Sequence, residues 1–211
     1  MRRYLRKGLL LLVSDPILAF SVIRALAKGT AFIIFYRVTS KRVRIAFPFF
    51  LYHRLRISGP GIVSIKGNCS VHANAFRGLS VTTLSEKARV WIGEGCQLGG
   101  TTIRCRDRVI IGDRTMSASC LIQDSWFTEV EKVKAKFNTE SAVSSMPISI
   151  GRDVWLASST VILRGSKLGD SSVVAHGSVT SDFKVRNDCL TSGNPAVKSL
   201  SIRYLEVAWP R

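Results

Sequence analysis

Hydrophobic positions recur every six residues through the second half of the chain. Ile150, Leu156, Ile162, Leu168 and Val174 stand six apart, and four residues beyond each comes a small or β-branched residue: Val154, Thr160, Ser166, Ser172 and Ser178. A period of six matches neither the 3.6 of a helix nor the two of an ordinary strand. It matches a coil that turns one corner per hexad and stacks each aliphatic side chain on the next, which is a parallel β-helix. Weaker hexads extend the pattern upstream. Ile65 and Val71 are six apart, as are Ile92 and Leu98, and Ile92-Gly93-Glu94-Gly95-Cys96 and Ile111-Gly112-Asp113-Arg114-Thr115 repeat an aliphatic-Gly-x-x-small unit. The expected β-helix covers about 61–196 in roughly seven coils of three hexads. Thr101 to Ile110 does not keep perfect step. One excursion, at about 124–146, has no six-residue period and carries Trp126, Phe127 and a charged run from Glu129 to Lys136. A loop of that length in a repeat fold is usually functional or disordered.

The first sixty residues have a different texture, and Ser58-Gly59-Pro60-Gly61 is the breaker cluster that divides them from the repeats. Residues 197–211 form a C-terminal tail. Arg2, Arg3, Arg6 and Lys7 lead into Leu9 to Val13, and Ser14-Asp15-Pro16 supplies an N-cap and first-turn proline for a helix over about Ile17 to Tyr36. Two helices are thus expected. The second is long enough to span a bilayer, but Arg24 and Lys28 would each cost about 2.5–3.5 kcal/mol at its centre. Four apart, they share one face, so the helix suits the membrane interface better than a crossing. Two other readings stay open: the helices cap the open end of the β-helix or pack against neighbouring subunits, or the segment is a signal peptide with Ala25-Leu26-Ala27 as its cleavage site.

Charge sharpens this division. The net charge is +17, and residues 1–60 contribute +11 of it, with Asp15 as their one acid. A basic segment interleaved with aliphatic and aromatic residues points to an anionic membrane surface and not to nucleic acid. The expected location is cytoplasmic, peripheral on the inner membrane. Lys41, Arg42, Arg44, Arg54 and Arg56 flank the apolar run Ile45 to Leu51 and extend the same patch. The five cysteines are odd in number and form no Cys-x-x-Cys pair, and Cys69, Cys96 and Cys120 occupy positions where a hexad takes a small residue. They read as small apolar residues in a reducing compartment.

Over Pro147 to Ala196 the chain resembles the hexapeptide-repeat acyltransferases, in particular the sugar O-acetyltransferases of the left-handed β-helix class. Ile150-Gly151-x-x-Val154-Trp155-Leu156, Leu168-Gly169-Asp170-Ser171-Ser172-Val173-Val174, Gly177-Ser178-Val179-Thr180 and Gly193-Asn194-Pro195-Ala196 carry the resemblance. It implies a mainly β fold, a left-handed parallel β-helix with an N-terminal α-helical extension, assembled as a homotrimer. It also implies acetyl-CoA as cosubstrate, held in a groove between adjacent subunits, and a sugar or polysaccharide acceptor. By position, Trp155 and Ser158 would line the groove, backbone at His176 and Gly177 would face the pantetheine arm, and Lys184 or Lys198 would meet the phosphates.

Acyl transfer to a hydroxyl needs a base and an oxyanion donor. The family places a histidine at the start of the excursion, where this chain has Gln123-Asp124-Ser125-Trp126-Phe127-Thr128. Thr128 holds the histidine's place, and a threonine hydroxyl is no base near neutral pH. Only His53, His72 and His176 are present. His176, inside the inferred groove, is one substitute base, and Asp124, if burial raises its pKa, is another. Three scattered histidines do not make a zinc site, so no metal is expected. Two functions of different class follow: an acetyl-CoA-dependent O-acetyltransferase acting on a lipid-linked or surface-polysaccharide precursor at the membrane, and a catalytically silent β-helix trimer that binds partners in the same pathway.

Overall fold

The structure, a computed structural model, describes residues 15–72, 77–125 and 145–202. Within them one helix precedes three sheets of seven, eight and six strands. Successive strands fall on the first, second and third sheet in turn, so each circuit of three adds one coil to a three-sided prism, the parallel β-helix that the hexads imply and, in the family it resembles, a left-handed one. All strand pairs but one are parallel and in register: Ile92 lies on Ile111, Ile111 on Ile150, Ile150 on Leu168, and Leu168 on Val185. The same inward stack continues on the second face through Leu98, Ser117, Leu156 and Val174, and on the third through Ile103, Ile122, Ile162 and Thr180. These side chains are buried and fill the prism. All five cysteines are buried thiols, Cys69, Cys96 and Cys120 at the hexad positions that take a small residue.

The ladder starts earlier than the Ser58–Gly61 breaker cluster. Val43–Ile45, Phe49–Leu51 and Leu55–Ser58 form a first coil that pairs with Ile62–Ile65, Cys69–His72 and Leu79–Thr83. Part of the expected N-terminal extension is therefore β-helix. The glycine-rich bend is a corner between two coils: a Cβ on Gly59 would meet the Thr83 carbonyl, and its φ is +98°. Backbone at that position requires a residue with no side chain.

Helix α1 spans Pro16–Thr39. Asp15 caps it by accepting the Leu18 N–H at 2.9 Å, and Pro16 occupies the first turn, where a missing N–H costs nothing. α1 covers the open end of the first coil. Phe32, Ile33 and Tyr36 pack on the core, and the inward Phe49 and Leu51, which would otherwise face water, are 0% and 2% exposed. Of the readings open for this helix, an end cap is therefore what the fold uses it for. The helix expected within residues 1–14 lies outside the described residues.

At the other end, Cys189–Gly193 turns through Asn194-Pro195 and returns as the antiparallel strand Ala196–Ser201. This Gly-Asn-Pro-Ala turn ends the parallel ladder. Within residues 197–211, expected as a tail, the first five complete this strand or follow it directly.

Candidate functional site

The corners decide which groups face outward. At the corner between the first and second faces, Gly95, Arg114, Asp153, Ser171 and Asp188 repeat once per coil with φ between +52° and +70°. Each N–H there bonds a carbonyl of the coil before, as with Ser171 to Arg152 at 2.8 Å and Asp188 to Asp170 at 3.0 Å. Carboxylates tie the same corner: Asp170 accepts the Arg152 N–H at 2.8 Å and pairs with its guanidinium at 2.9 Å. Those bonds hold the Asp170 carboxyl below the usual carboxylate range.

The corner between the second and third faces brings three of the expected site residues together. The Gly177 N–H donates to the Ser158 carbonyl at 3.1 Å, joining the fifth coil to the sixth. Gly177 has φ +69°, and a Cβ there would meet nothing within 4 Å. Its glycine answers to the backbone conformation and leaves the surface open to a close-lying ligand. His176, beside it, is exposed, and Ser158 is half-buried. Trp155 stands three residues before Ser158, outward on the second face and 54% exposed, between Met116 and Val173 in the cross-coil register.

The two lysines lie elsewhere. Lys184 points outward from the first face, stacked on Lys167, and Lys198 sits on the antiparallel closing strand. Together with Arg186 and Phe183 they line a concavity of about 400 Å³ at the end of the prism. Lys198 thus shares the second-face sheet with Trp155, two strands beyond Val173, while Lys184 stands on the first face.

Asp124, the other expected candidate base, is enclosed. It is fully buried and follows a third-face strand, at a different corner from His176. Its Oδ1 accepts the Arg106 N–H at 2.7 Å, and its Oδ2 accepts those of Asp107 at 2.7 Å and Arg108 at 2.9 Å. Burial pushes its pKa up, while those three N–H bonds pull it down. A carboxylate so enclosed caps the turn of the preceding coil. It also accounts for the uneven step between Thr101 and Ile110, where this turn is compressed to Arg106 and Asp107. Beside it, burial and the nearby carboxylate push the Cys105 thiol well above the ordinary thiol range.

The other two histidines lie near the first coils. His72 stacks on Tyr52 with ring centroids 4.6 Å apart and pairs with the Ser70 hydroxyl at 3.0 Å. Desolvation pushes its pKa down. His53 is half-buried. Thr128 and most of the excursion lie outside the described residues. Among the described residues, no three His, Cys, Asp or Glu side chains converge in the manner of a metal site.

Sequence reasoning missed two features. Met116, Trp155, Val173, Leu190 and Leu200 follow one another outward across the second face. Met116, Trp155 and Leu200 are exposed. The signal was an apolar residue at the outward position of successive hexads. At the base of the excursion, Gln123 and Ser125 are buried, and Gln123 Nε2 donates to the Ser125 carbonyl at 2.8 Å. Gln123 Oε1 and the Ser125 hydroxyl find no partner among the described residues. Only the fold reveals that pair, because an outward hexad position is ordinarily exposed.

No protein-family model and no curated protein sequence matches the chain. Solved structures do. A hexapeptide-repeat-containing acetyltransferase from Vibrio cholerae is 23% identical with a TM-score of 0.48, over 63% of this chain and 68% of that one. The polysialic acid-specific acetyltransferase NeuO is 20% identical with a TM-score of 0.45, over 76% of this chain and 68% of its own. Galactoside acetyltransferase, solved in complex with coenzyme A, is 16% identical with a TM-score of 0.43, over 87% and 84%.

Proposed function

We propose that the protein transfers an acetyl group from acetyl-CoA to a sugar hydroxyl on a lipid-linked or surface-polysaccharide precursor, as a homotrimer on the cytoplasmic side of the membrane. The observation that carries this reading is the Ser158–Gly177 corner. There an exposed imidazole, an uncrowded left-handed glycine and an outward tryptophan share one side of the prism, on the residues that resemble the acyltransferases. His176 takes the proton of the acceptor hydroxyl as its oxygen bonds to the thioester carbonyl carbon. The carbon–sulfur bond then breaks, and the coenzyme A thiolate leaves with the proton returned by the imidazole. Among the described side chains at this corner, only His176 carries an imidazole, the side chain most often used as a general base. Met116, Val173, Leu190 and Leu200 give the second face an apolar surface for a neighbouring subunit, and the groove lies along that junction.

Thiol release from acetyl-CoA with purified protein and candidate glycan acceptors tests the reading. His176→Ala is expected to lower kcat about 10²- to 10⁴-fold with little change in KM for acetyl-CoA. Turnover unchanged in that variant would remove His176 from the chemistry. The second reading, a silent scaffold, is favoured by Gln123-Asp124-Ser125, where no histidine starts the excursion and the carboxylate is enclosed. Acetyl-CoA bound without turnover across acceptors would select it.

A further inference from the structure

Acyl transfer leaves the outer side of α1 unexplained. One edge of the helix is fixed to the first coil: Ala19, Ala25 and Gly29 are buried, and a Cβ on Gly29 would collide with the Phe49 carbonyl. The opposite edge carries Phe20, Ile23, Ile34 and Val38, spaced as one helical stripe and exposed, with Phe20 at 67% and Val38 at 81%. Phe47, from the turn after the first strand, adds a further exposed ring. Arg24 and Lys28 border the stripe, Arg37, Lys41 and Arg42 lie exposed at its far end, and residues 16–60 contain no acid.

An apolar stripe edged by cations alone matches the boundary between anionic headgroups and acyl chains. A second copy matches it poorly, because an isologous pairing would set the same cations against each other. Nor can α1 cross the bilayer in this fold. It would have to leave the first coil and uncover Phe49 and Leu51.

We propose that α1 lies in the plane of an anionic bilayer with the first coil beneath it, and that the stack of coils is a spacer setting how far from the lipid the acceptor must reach. The Ser158–Gly177 corner belongs to the fifth and sixth coils. Neighbouring strands are ~4.8 Å apart, so four to five steps place that corner roughly 20 Å beyond the first coil. The acceptor is accordingly a lipid-linked glycan with several sugars between its anchor and the acetylated residue. The docking stands on α1 alone, whereas the reach rests on the acyl-transfer reading.

Phosphatidylcholine vesicles with and without phosphatidylglycerol supply the probe. Full-length protein is expected to float with the anionic vesicles, to be released by high salt, and to remain behind with phosphatidylcholine alone. Ile34→Glu should weaken flotation more than tenfold and Arg42→Gln roughly fivefold, with unchanged circular dichroism. Environment-sensitive fluorophores at Phe47→Cys and Ser149→Cys report orientation, since the native cysteines are buried. The probe at 47 should shift to the blue and be quenched by brominated acyl chains, while the probe at 149 stays in water. Absence of flotation overturns the docking. Lipid contact at both probes overturns the upright stack, and burial of the probe at 47 without vesicles at high protein concentration selects a second copy instead.

The reach is read with one sugar tethered to lipid through short or long spacers, the same sugar being supplied untethered as well. Transfer to long-tethered acceptors only is expected. Equal transfer to short-tethered ones overturns the spacer. No transfer even to the untethered sugar overturns the acyl-transfer reading and with it the reach, while flotation and the two probes still decide the docking.

Discussion

A glycine follows the inward aliphatic residue in Ile150-Gly151 and Leu168-Gly169 because the next coil leaves no room for a side chain. A Cβ on Gly151 would stand 2.5 Å from Asp170 Oδ1, and one on Gly169 would stand 2.4 Å from Asn187 Oδ1. Those oxygens accept the N–H groups of Arg152 and Asp170, so they cannot retreat without losing a corner bond. Gly151→Ala is therefore expected to cost about 1–3 kcal/mol, read from the urea midpoint. Asp124→Asn should cost a similar ~1–3 kcal/mol, since one amide oxygen cannot serve three N–H groups. Burial raises the folded-state pKa of Asp124, so its contribution is fullest below the unfolded carboxyl pKa and falls as pH rises through the folded value. The cost of Asp124→Asn should accordingly shrink as pH rises above the unfolded carboxyl value. Asp170 behaves in the opposite sense. Its pKa is depressed, so its contribution is present above the unfolded value and lost on acidification. Urea midpoints of Asp170→Asn across pH 2–6 should converge on wild type at the acid end.

Each coil is held chiefly by the coils above and below it, which makes position along the stack decisive. Ile150 lies between Ile111 and Leu168, with well-packed neighbours on both sides. Ile150→Ala is expected to cost ~2–5 kcal/mol by thermal or urea unfolding. Ile45, in the terminal coil and only half-buried, should cost less. The inward aliphatic residues were legible in the sequence because nothing else repeats every six positions. The first coil escaped for a physical reason. Ile45, Leu51 and Ile57 keep the six-residue step, but Arg44, Arg54 and Arg56 at outward positions gave the segment the texture of a membrane flank. The corners escaped too. Arg114, Asp153 and Ser171 adopt positive φ without being glycine, since hydrogen bonds between coils or local ion pairs offset the strain. Of the candidate site, Trp155, Ser158, His176 and Gly177 were legible through the motifs. The enclosure of Asp124 was not, because it depends on the turn of the preceding coil.

At the scale of the molecule, the two ends of the prism differ in kind. Removing residues 1–40 takes away the cover over Phe49 and Leu51, and size-exclusion chromatography should then show species larger than the full chain forms. A stack of coils has no intrinsic length, for every terminal coil is a template for another. Here α1 roofs one end, and the backward strand Ala196–Ser201 occupies the last edge of the second face with its polarity reversed. A copy arriving in parallel register finds no matching edge on that face. The turn at Asn194-Pro195 thus closes the end that α1 leaves open, and a chain cut after Gly193, still roofed by α1, should pair end to end and stop there, as dimers of the cut chain seen by analytical ultracentrifugation with no filaments.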